Sequence, residues 1–327
     1  MNNRLFRGIQ ISEIGLGTWQ LGSADWGHVD QEKAQSILSA YINKGGNFID
    51  TADVYGMGNS ERTIGAFLKN IKSPVYVASK LGRRHDGNHG WPQNFSLEAM
   101  RKFTEETLRN LNLNSLFLQQ LHCIPFEILK EKKVFEHLKT LNSEGLIQHW
   151  GVSVETSEEA LFCLEQEGLA SLQIIFNMFR QQVADEVFAK AQERNVALII
   201  RVPLASGLLT GKFNVETVFE SSDHRNYNAN GEAFNVGETF SGIPFQKGVE
   251  LSKELGQLLP EGNMAPWALR WILDHKEVTT VIPGASSVNQ VDSNVSASHL
   301  STLPTDTHQK LRALFDEKIK PAIRGRF

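Results

Sequence analysis

The feature that most constrains the fold is the alternation of short β-rich runs with helical patterns along all 327 residues. Such an alternation is typical of βα units that build a parallel sheet. Eight strands close a (β/α)8 barrel, and this chain length suits one barrel with insertions. The sequence therefore predicts an α/β protein with a TIM-barrel fold in a single domain, residues 1–327. The predicted strands are residues 13–17, 48–50, 75–79, 117–121, 149–154, 172–176, 198–202 and 279–283.

Local patterns predict the elements around these strands. Residues 4–11 alternate around a turn, which predicts a β-hairpin ahead of the barrel. Ser96 precedes a strongly amphipathic segment and is expected to cap the start of a helix. Thr156 and Glu159 have the spacing of a capping box, in which each side chain satisfies a backbone N–H of the other residue.

Two connections are much longer than simple turns, and both follow a predicted strand. They are residues 82–95 and 203–243. Long loops on a compact domain are usually functional lids or disordered segments. We expect both loops at the C-terminal rim, the end of the barrel where the carboxyl ends of the strands meet.

Four residues suited to proton transfer follow three of the predicted strands. Asp50 and Lys80 each end a strand-like run, Tyr55 lies five residues after Asp50, and His122 follows another run. Taken singly, they would be an ion pair, a loop aromatic and a structural histidine. At the C-terminal rim they would meet. There, Asp50 would keep Lys80 charged, and Lys80 would lower the pKa of Tyr55, which predicts a general acid–base site.

The segment from Asp50 to Gly56, Asp-Thr-Ala-Asp-Val-Tyr-Gly, resembles a motif of the aldo-keto reductase family. The resemblance covers nearly the whole chain and includes Lys80 and His122. It implies a barrel whose floor is covered by the N-terminal hairpin. It also implies that Tyr55 donates a proton to a carbonyl oxygen. His122 would hydrogen-bond that oxygen or serve as an alternative proton donor.

Two common nucleotide-binding motifs do not fit this chain. Gly15-Leu-Gly17 is followed by Gln20 where a Rossmann fingerprint has its third glycine. Residues 207–212 have only three residues between their glycines, and Phe213 replaces the serine or threonine of a P-loop. Any nucleotide cofactor must therefore be held in another way.

The resemblance instead implies that NADP(H) is bound by residues of the second half of the chain. Small residues after the seventh strand would let backbone N–H groups approach the pyrophosphate. Lys212 and Arg225 supply positive charge, and a helix start near Ser286 favours the adenosine phosphate. Arg201 occupies a position where many relatives have an aromatic ring. The predicted cofactor-binding residues are Ser153, Gln173, Arg201, Pro203, Leu204, Ser206, Gly207, Leu208, Lys212, Arg225, Gly284, Ser286, Gln290 and Asn294.

Composition excludes several other classes of function. The net charge of −4 is spread evenly and gives no basic patch for nucleic acid. No apolar run resembles a signal peptide or a membrane span, which predicts a cytoplasmic protein. Cys123 and Cys163 form no ligand pair, and His85 and His89 lie in a loop without further ligands. We therefore expect no metal site.

The function expected from these observations is reduction of an aldehyde or ketone to an alcohol, or the reverse oxidation, with NADP(H). A small molecule, of sugar type or otherwise, would be the substrate, and the oligomeric state is left open. Aromatic residues expected at the substrate end of the rim are Trp19, Trp26, Trp91 and Phe126. One alternative is a non-catalytic NADPH-binding regulatory subunit of the same fold. A metal-dependent barrel hydrolase is disfavoured because a ligand cluster is missing.

Overall fold

The structure is a computed structural model that describes residues 1–22, 29–85 and 93–326. Each of the eight predicted barrel strands is present, with ends that differ from the prediction by at most three residues. The strands are β1 (Asn3–Phe6), β2 (Ile9–Ser12), β3 (Leu16–Gly17), β4 (Phe48–Asp50), β5 (Tyr76–Leu81), β6 (Leu116–His122), β7 (Ile147–Ser153), β8 (Ser171–Ile175), β9 (Ala197–Arg201) and β10 (Val278–Val281).

Strands β3 to β10 lie side by side in chain order, and every neighbouring pair is parallel. Backbone hydrogen bonds then join the first of these strands to the last. The amide of Gly15 donates to the carbonyl of Val281 at 2.8 Å, and the amide of Gly17 donates to Pro283 at 3.1 Å. The predicted (β/α)8 barrel is therefore confirmed.

The strand register brings polar side chains to one end of the barrel. Lys80 is paired with Gln120, His122 with Ser153, and Ser153 with Gln173. His122 and Ser153 end their strands, Lys80 is the last residue but one of β5, and Gln120 and Gln173 lie two residues before the ends of β6 and β8. Because parallel strands of a barrel end together, these side chains meet at the C-terminal rim.

The N-terminal hairpin covers the opposite end of the barrel, as the family resemblance implied. Strands β1 and β2 pair antiparallel, and Phe6 lies 5.1 Å from Phe117 between ring centroids. Phe6 and Ile11 belong to the apolar cluster that fills this part of the barrel. The guanidinium of Arg4 donates to the carbonyl of Val278 at 2.6 Å, which attaches the hairpin to β10. The functional end of the barrel is therefore the rim away from the hairpin.

Helices connect the strands, and the predicted capping signals are present. Ser96 accepts a hydrogen bond from the amide of Ala99, and Thr156 with Glu159 forms the capping box. No helix among the described residues is long and apolar enough to cross a membrane. The helices are α1 (Gln31–Asn43), α2 (Asn59–Leu68), α3 (Leu97–Leu111), α4 (Phe126–Lys130), α5 (Lys133–Ser143), α6 (Ser157–Leu164), α7 (Ala189–Glu193), α8 (His224–Tyr227), α9 (Phe245–Leu258), α10 (Met264–Leu273), α11 (Val288–Ser296) and α12 (Thr305–Leu314).

The connection 203–243 contains more regular structure than its sequence suggested. Short 3-10 turns lie at Ala205–Thr210, Val236–Glu238 and Phe240–Gly242, and α8 adds one helical turn. These turns are too short to produce a periodic sequence pattern, so the pattern could not predict them. They bend the connection back across the C-terminal rim, where several of its side chains line a cavity.

Candidate functional site

A buried ion pair lies at the base of the site. The ammonium of Lys80 contacts a carboxylate oxygen of Asp50 at 2.5 Å and donates to the carbonyl of Thr51 at 2.7 Å. The other carboxylate oxygen of Asp50 accepts hydrogen bonds from the amides of Gln173 at 2.7 Å and Gln120 at 3.3 Å. Both charges are thus compensated by direct partners, as burial of an ion pair requires.

Tyr55 lies directly beside this ion pair. The ammonium of Lys80 is 5.1 Å from the centre of the Tyr55 ring. Burial raises the pKa of Tyr55 above its usual value, and Lys80 offsets only part of that increase. The sequence predicted a lowered pKa, and that expectation is wrong because loss of solvent outweighs the nearby charge. Tyr55 therefore stays protonated at neutral pH.

Lys80 is charged and His122 is neutral in this environment. Burial acts to lower the pKa of Lys80, but Asp50 and Tyr55 outweigh it and leave the pKa raised, so Lys80 is cationic. Burial, followed by the charges of Arg83, Lys80 and Arg201, lowers the pKa of His122 well below its usual value. A neutral imidazole can donate one N–H hydrogen bond, but it is a weak proton donor.

A cavity of about 900 Å³ extends from these residues across the C-terminal rim to the start of α11. Its volume is within the range of small-molecule and cofactor sites. Lys80 lies beneath the cavity, against Tyr55. The predicted site residues that line the cavity are Trp19, Asp50, Tyr55, His122, Ser153, Gln173, Arg201, Pro203, Leu204, Ser206, Gly207, Lys212, Arg225, Gly284, Ser286, Gln290 and Asn294.

The segment after β9 has an unusual backbone where it borders this cavity. Val202, Ala205 and Ser206 all have positive φ angles, near +50°, and Gly207 has a φ of +100°. Positive φ is unfavourable for a β-branched residue such as Val202. Strained backbone of this kind persists where the surrounding structure imposes it, and it clusters at ligand sites. The segment predicted to bind the pyrophosphate therefore has a strained backbone of the kind that is found at ligand sites.

The far end of the cavity is formed by the start of α11. Ser287 caps this helix by accepting a hydrogen bond from the amide of Gln290. The Gln290 side chain in turn accepts from the amide of Ser286 at 2.6 Å. The amide of Asn294 donates to the carbonyl of Gly284 at 3.2 Å. The three predicted polar side chains therefore lie together at a helix N-terminus, which favours an anion.

Arg225 lines the cavity but is held by an acidic residue. Two of its nitrogens contact the carboxylate of Asp223 at 2.9 and 2.5 Å, and its guanidinium lies 4.5 Å from the centre of the Phe219 ring. Burial would raise the pKa of Asp223, but hydrogen bonds from Arg225 and His224 dominate and lower it. The charge of Arg225 is therefore partly neutralised.

Sequence patterns did not identify two ion pairs at the substrate end. Arg83 contacts Glu155 at 3.1 Å, and the guanidinium of Arg201 contacts Glu238. Arg201 also donates to the carbonyl of Val154 at 2.9 Å. Glu155 follows β7, and Glu238 lies far along the connection after β9, so no local spacing could reveal either pair. Sequence patterns also did not identify Gln120, which donates a hydrogen bond to Asp50. Its polar side chain within an apolar strand could have indicated a role in the site.

Several predicted site residues lie elsewhere. Leu208 does not line the cavity; it is buried in the apolar core, because its side chain points away from the rim. Phe126 packs edge-on against Phe162 at 5.6 Å, because it lies on the first turn of α4 rather than in a rim loop. Trp19 does line the cavity and stacks on Tyr55 at 5.9 Å. Trp26 and Trp91 are outside the described residues.

One group of potential metal ligands is present among the described residues. Cys123, Glu155 and Glu238 bring their ligand atoms within 4.8 Å of one another. Arg83 and Arg201 already contact the two carboxylates. Because these guanidinium groups occupy the carboxylates and repel a cation, the cluster does not suit a metal ion. His85 belongs to no such cluster, and His89 is outside the described residues.

Comparisons with known proteins agree with this geometry. The chain matches the model of the Aldo/keto reductase family over residues 13–316. It is 28% identical to the uncharacterized oxidoreductase YqkF of Bacillus subtilis over 94% of this chain and 92% of that protein. It is 25% identical to an NADH-specific methylglyoxal reductase of Escherichia coli, over 91% and 93% of the two chains. The structure of a glycerol dehydrogenase from Gluconobacter oxydans superposes with a TM-score of 0.80 at 26% identity, covering 100% of this chain and 98% of that one. The protein is therefore an oxidoreductase that belongs to the aldo/keto reductase family.

Proposed function

We propose that this protein reduces a small aldehyde or ketone to an alcohol with NADPH, and catalyses the reverse oxidation with NADP. The observation that carries this proposal is the Lys80–Asp50 pair beneath Tyr55, at one end of a cavity of about 900 Å³ that reaches the start of α11. The names of relatives that reduce methylglyoxal or oxidise glycerol support the same class of reaction. We also expect a cytoplasmic location, which cell fractionation would test.

In this mechanism the side chains of the protein supply the proton and stabilise the group that donates it. The segment after β9 and the start of α11 would hold NADPH, which would supply the hydride and be oxidised to NADP, so that the carbonyl oxygen would then need a proton. Tyr55, which its raised pKa keeps protonated, gives its proton to that oxygen. Lys80 stabilises the phenolate that remains.

His122 has a positioning role in this proposal. Its Nδ1 is buried and has no hydrogen-bond partner in the described part of the chain. We therefore assign the ring proton to Nε2, from which the neutral imidazole would donate a hydrogen bond to the carbonyl oxygen. The low pKa of His122 disfavours the alternative in which it supplies the transferred proton.

The preference for NADP(H) over NAD(H) rests on the polar groups at the cofactor end. Lys212, Arg225, Ser286 and Gln290 all line the cavity, and a 2′-phosphate adds about two negative charges. The Asp223 carboxylate opposes this preference because it neutralises Arg225. NADP(H) selection therefore depends on Arg225 turning from Asp223 towards the phosphate.

Arg225→Ala is expected to weaken NADPH binding by about 1–3 kcal/mol, the contribution of a hydrogen bond to a charged group. NADH has no 2′-phosphate, so its binding should change much less. The matched variant Asp223→Asn should strengthen NADPH binding, because it releases Arg225 and keeps a helix-capping side chain. Dissociation constants from nucleotide fluorescence titration measure all of these effects. Tighter binding of NADH than NADPH by the wild type would contradict the cofactor assignment.

The connection 203–243 is expected to close over bound cofactor, with cofactor release limiting turnover at saturation. Tyr227, Phe234 and Glu238 of this connection already line the cavity. NADPH should therefore slow tryptic cleavage after Lys212 and Arg225. Cleavage after the exposed Lys72 provides the internal control. Equal cleavage of the connection with and without NADPH would count against closure.

The alternative function, a non-catalytic NADPH-binding regulatory subunit, predicts binding without turnover. The complete set of Asp50, Tyr55, Lys80 and His122 around one cavity favours an enzyme. A panel of aldehydes, ketones and alcohols assayed with NADPH and NADP distinguishes the two functions. NADPH binding together with no turnover across the panel would support the regulatory alternative.

A further inference from the structure

Two guanidinium groups line the substrate end of the cavity together with His122. Arg83 follows β5, and Arg201 ends β9. Each is paired with one carboxylate, Arg83 with Glu155 and Arg201 with Glu238. Together with Lys80, both guanidinium groups help to lower the pKa of His122. Two positive charges of the cavity wall therefore lie close to the position of the substrate carbonyl.

The charges behind these two pairs balance, because Arg180 adds a cation and Glu159 adds a carboxylate within electrostatic reach of Arg201. The groups beside His122 that line the cavity do not balance. Two guanidinium groups, Arg83 and Arg201, line it with one carboxylate, Glu238. Because the groups are largely shielded from water, this excess positive charge acts over a longer distance than it would at the surface. A neutral apolar substrate would gain nothing from this arrangement.

Arg83 and Arg201 differ in their freedom to bind a ligand. The side chain of Arg201 is 10% exposed and is held by Glu238, the carbonyl of Val154 and the thiol of Cys123. The side chain of Arg83 is 23% exposed, and one of its terminal nitrogens donates a hydrogen bond to Glu155. Arg83 can therefore donate to a molecule in the cavity, whereas Arg201 contributes mainly its charge.

We propose that the carbonyl substrate carries an anionic group, a carboxylate or a phosphate, which Arg83 binds while Tyr55 and His122 contact the carbonyl oxygen. This inference rests on the proposed carbonyl reduction and specifies its substrate class. Trp19, Tyr227 and Phe234 form an aromatic wall of the same cavity and would cover the apolar part of the substrate. A guanidinium suits both anions because its planar N–H groups can contact two oxygens at once.

A neutral polyhydroxylated substrate is the competing class. Glu238 also lines the cavity and could accept hydrogen bonds from hydroxyl groups. The contact with Arg201 already occupies one oxygen of this carboxylate, and two guanidinium groups line the cavity beside His122 against this one carboxylate. An anionic substrate therefore fits the cavity better than a neutral polyhydroxylated one, and the test below distinguishes the two classes.

The test compares pairs of substrates that differ in one charged group. Succinic semialdehyde is compared with butanal, and glyceraldehyde 3-phosphate with glyceraldehyde, all with saturating NADPH. The variant is the double substitution Arg83→Gln/Glu155→Gln, which removes the ion pair without leaving an unpaired carboxylate. In the wild type, kcat/KM should be higher for the anionic member of at least one pair. The anionic-to-neutral ratio for that pair should fall roughly 10- to 100-fold in the variant, the scale of a charge-assisted hydrogen bond.

A surface pair provides the matched control. Arg101 and Glu144 form an exposed ion pair on the outside of the barrel, and Arg101→Gln/Glu144→Gln should leave the anionic-to-neutral ratio unchanged.

The outcomes of the test identify the substrate class. The pair of substrates whose ratio decreases more in the Arg83→Gln/Glu155→Gln variant shows whether a carboxylate or a phosphate is bound. The anionic class is overturned if the wild type reduces the neutral member of each pair as well as the anionic member, and if the variant has the same anionic-to-neutral ratio. Carbonyl reduction itself would still be supported by that result. Higher kcat/KM for glyceraldehyde than for glyceraldehyde 3-phosphate, with an unchanged ratio in the variant, would favour the neutral polyhydroxylated class and overturn the anionic one. Absence of turnover with every compound would overturn both proposals.

Discussion

Tyr55→Phe is expected to slow the chemical step of carbonyl reduction by roughly 10²- to 10⁴-fold, the usual contribution of general acid catalysis. The phenol of Tyr55 is the group that would give its proton to the carbonyl oxygen. Phenylalanine keeps the ring that stacks on Trp19, so the cavity wall should remain. NADPH affinity should therefore change little. Single-turnover kinetics, which isolate the chemical step from cofactor release, provide the measurement.

Tyr76→Phe is the matched control for this substitution. Tyr76 begins β5 at the opposite end of the barrel from the rim and packs against Phe117 at 4.7 Å. Removal of its hydroxyl should leave turnover unchanged. If Tyr55→Phe retained the wild-type single-turnover rate, Tyr55 could not be the proton donor.

Lys80→Met is expected to lose activity and stability together. Without the ammonium, the phenolate of Tyr55 loses the cation that stabilises it, and turnover should fall by at least 10²-fold. Asp50 would also remain as a buried carboxylate without a counter-charge. Breaking a buried pair costs about 3–5 kcal/mol. We expect the lower end, about 3 kcal/mol, because the amides of Gln120 and Gln173 still contact Asp50.

The double variant Asp50→Asn/Lys80→Met separates these two effects. It removes both charges and keeps an amide that can interact with Gln173. We expect it to recover most of the free energy of unfolding lost in Lys80→Met, as urea unfolding measures, while remaining inactive. A Lys80→Met variant with wild-type stability and turnover would remove Lys80 from the mechanism.

The architecture of the barrel was predictable because it depends on short-range patterns. Runs of β-branched and apolar residues recur between amphipathic helices, and a closed parallel sheet is what buries both. The same logic placed Asp50, Lys80 and His122, since a residue at the carboxyl end of a barrel strand must lie on the rim. The helix cap at Ser96 was predictable because capping depends only on residues that are neighbours in the sequence.

The predictions that failed are those that depend on the environment of a side chain. The direction of the Tyr55 pKa shift was wrong because sequence spacing shows which charge is nearby but not how much water is lost. Phe126 was expected on the rim but packs against Phe162, because the orientation of a short helix determines which way its side chains point.

By itself, the sequence determined the strand order, the rim and the residue types that meet there, because each of these follows from local periodicity and chain order. The tertiary structure alone decided how the charges on that rim are paired. Arg83 with Glu155, Arg201 with Glu238 and Arg225 with Asp223 set the electrostatics of the cavity. Arg83 and Glu155 follow different strands, and Arg201 is separated from Glu238 by most of the connection after β9. In all three pairs the partner depends on side-chain direction. Pairing of this kind follows from three-dimensional proximity and burial, which no linear pattern encodes.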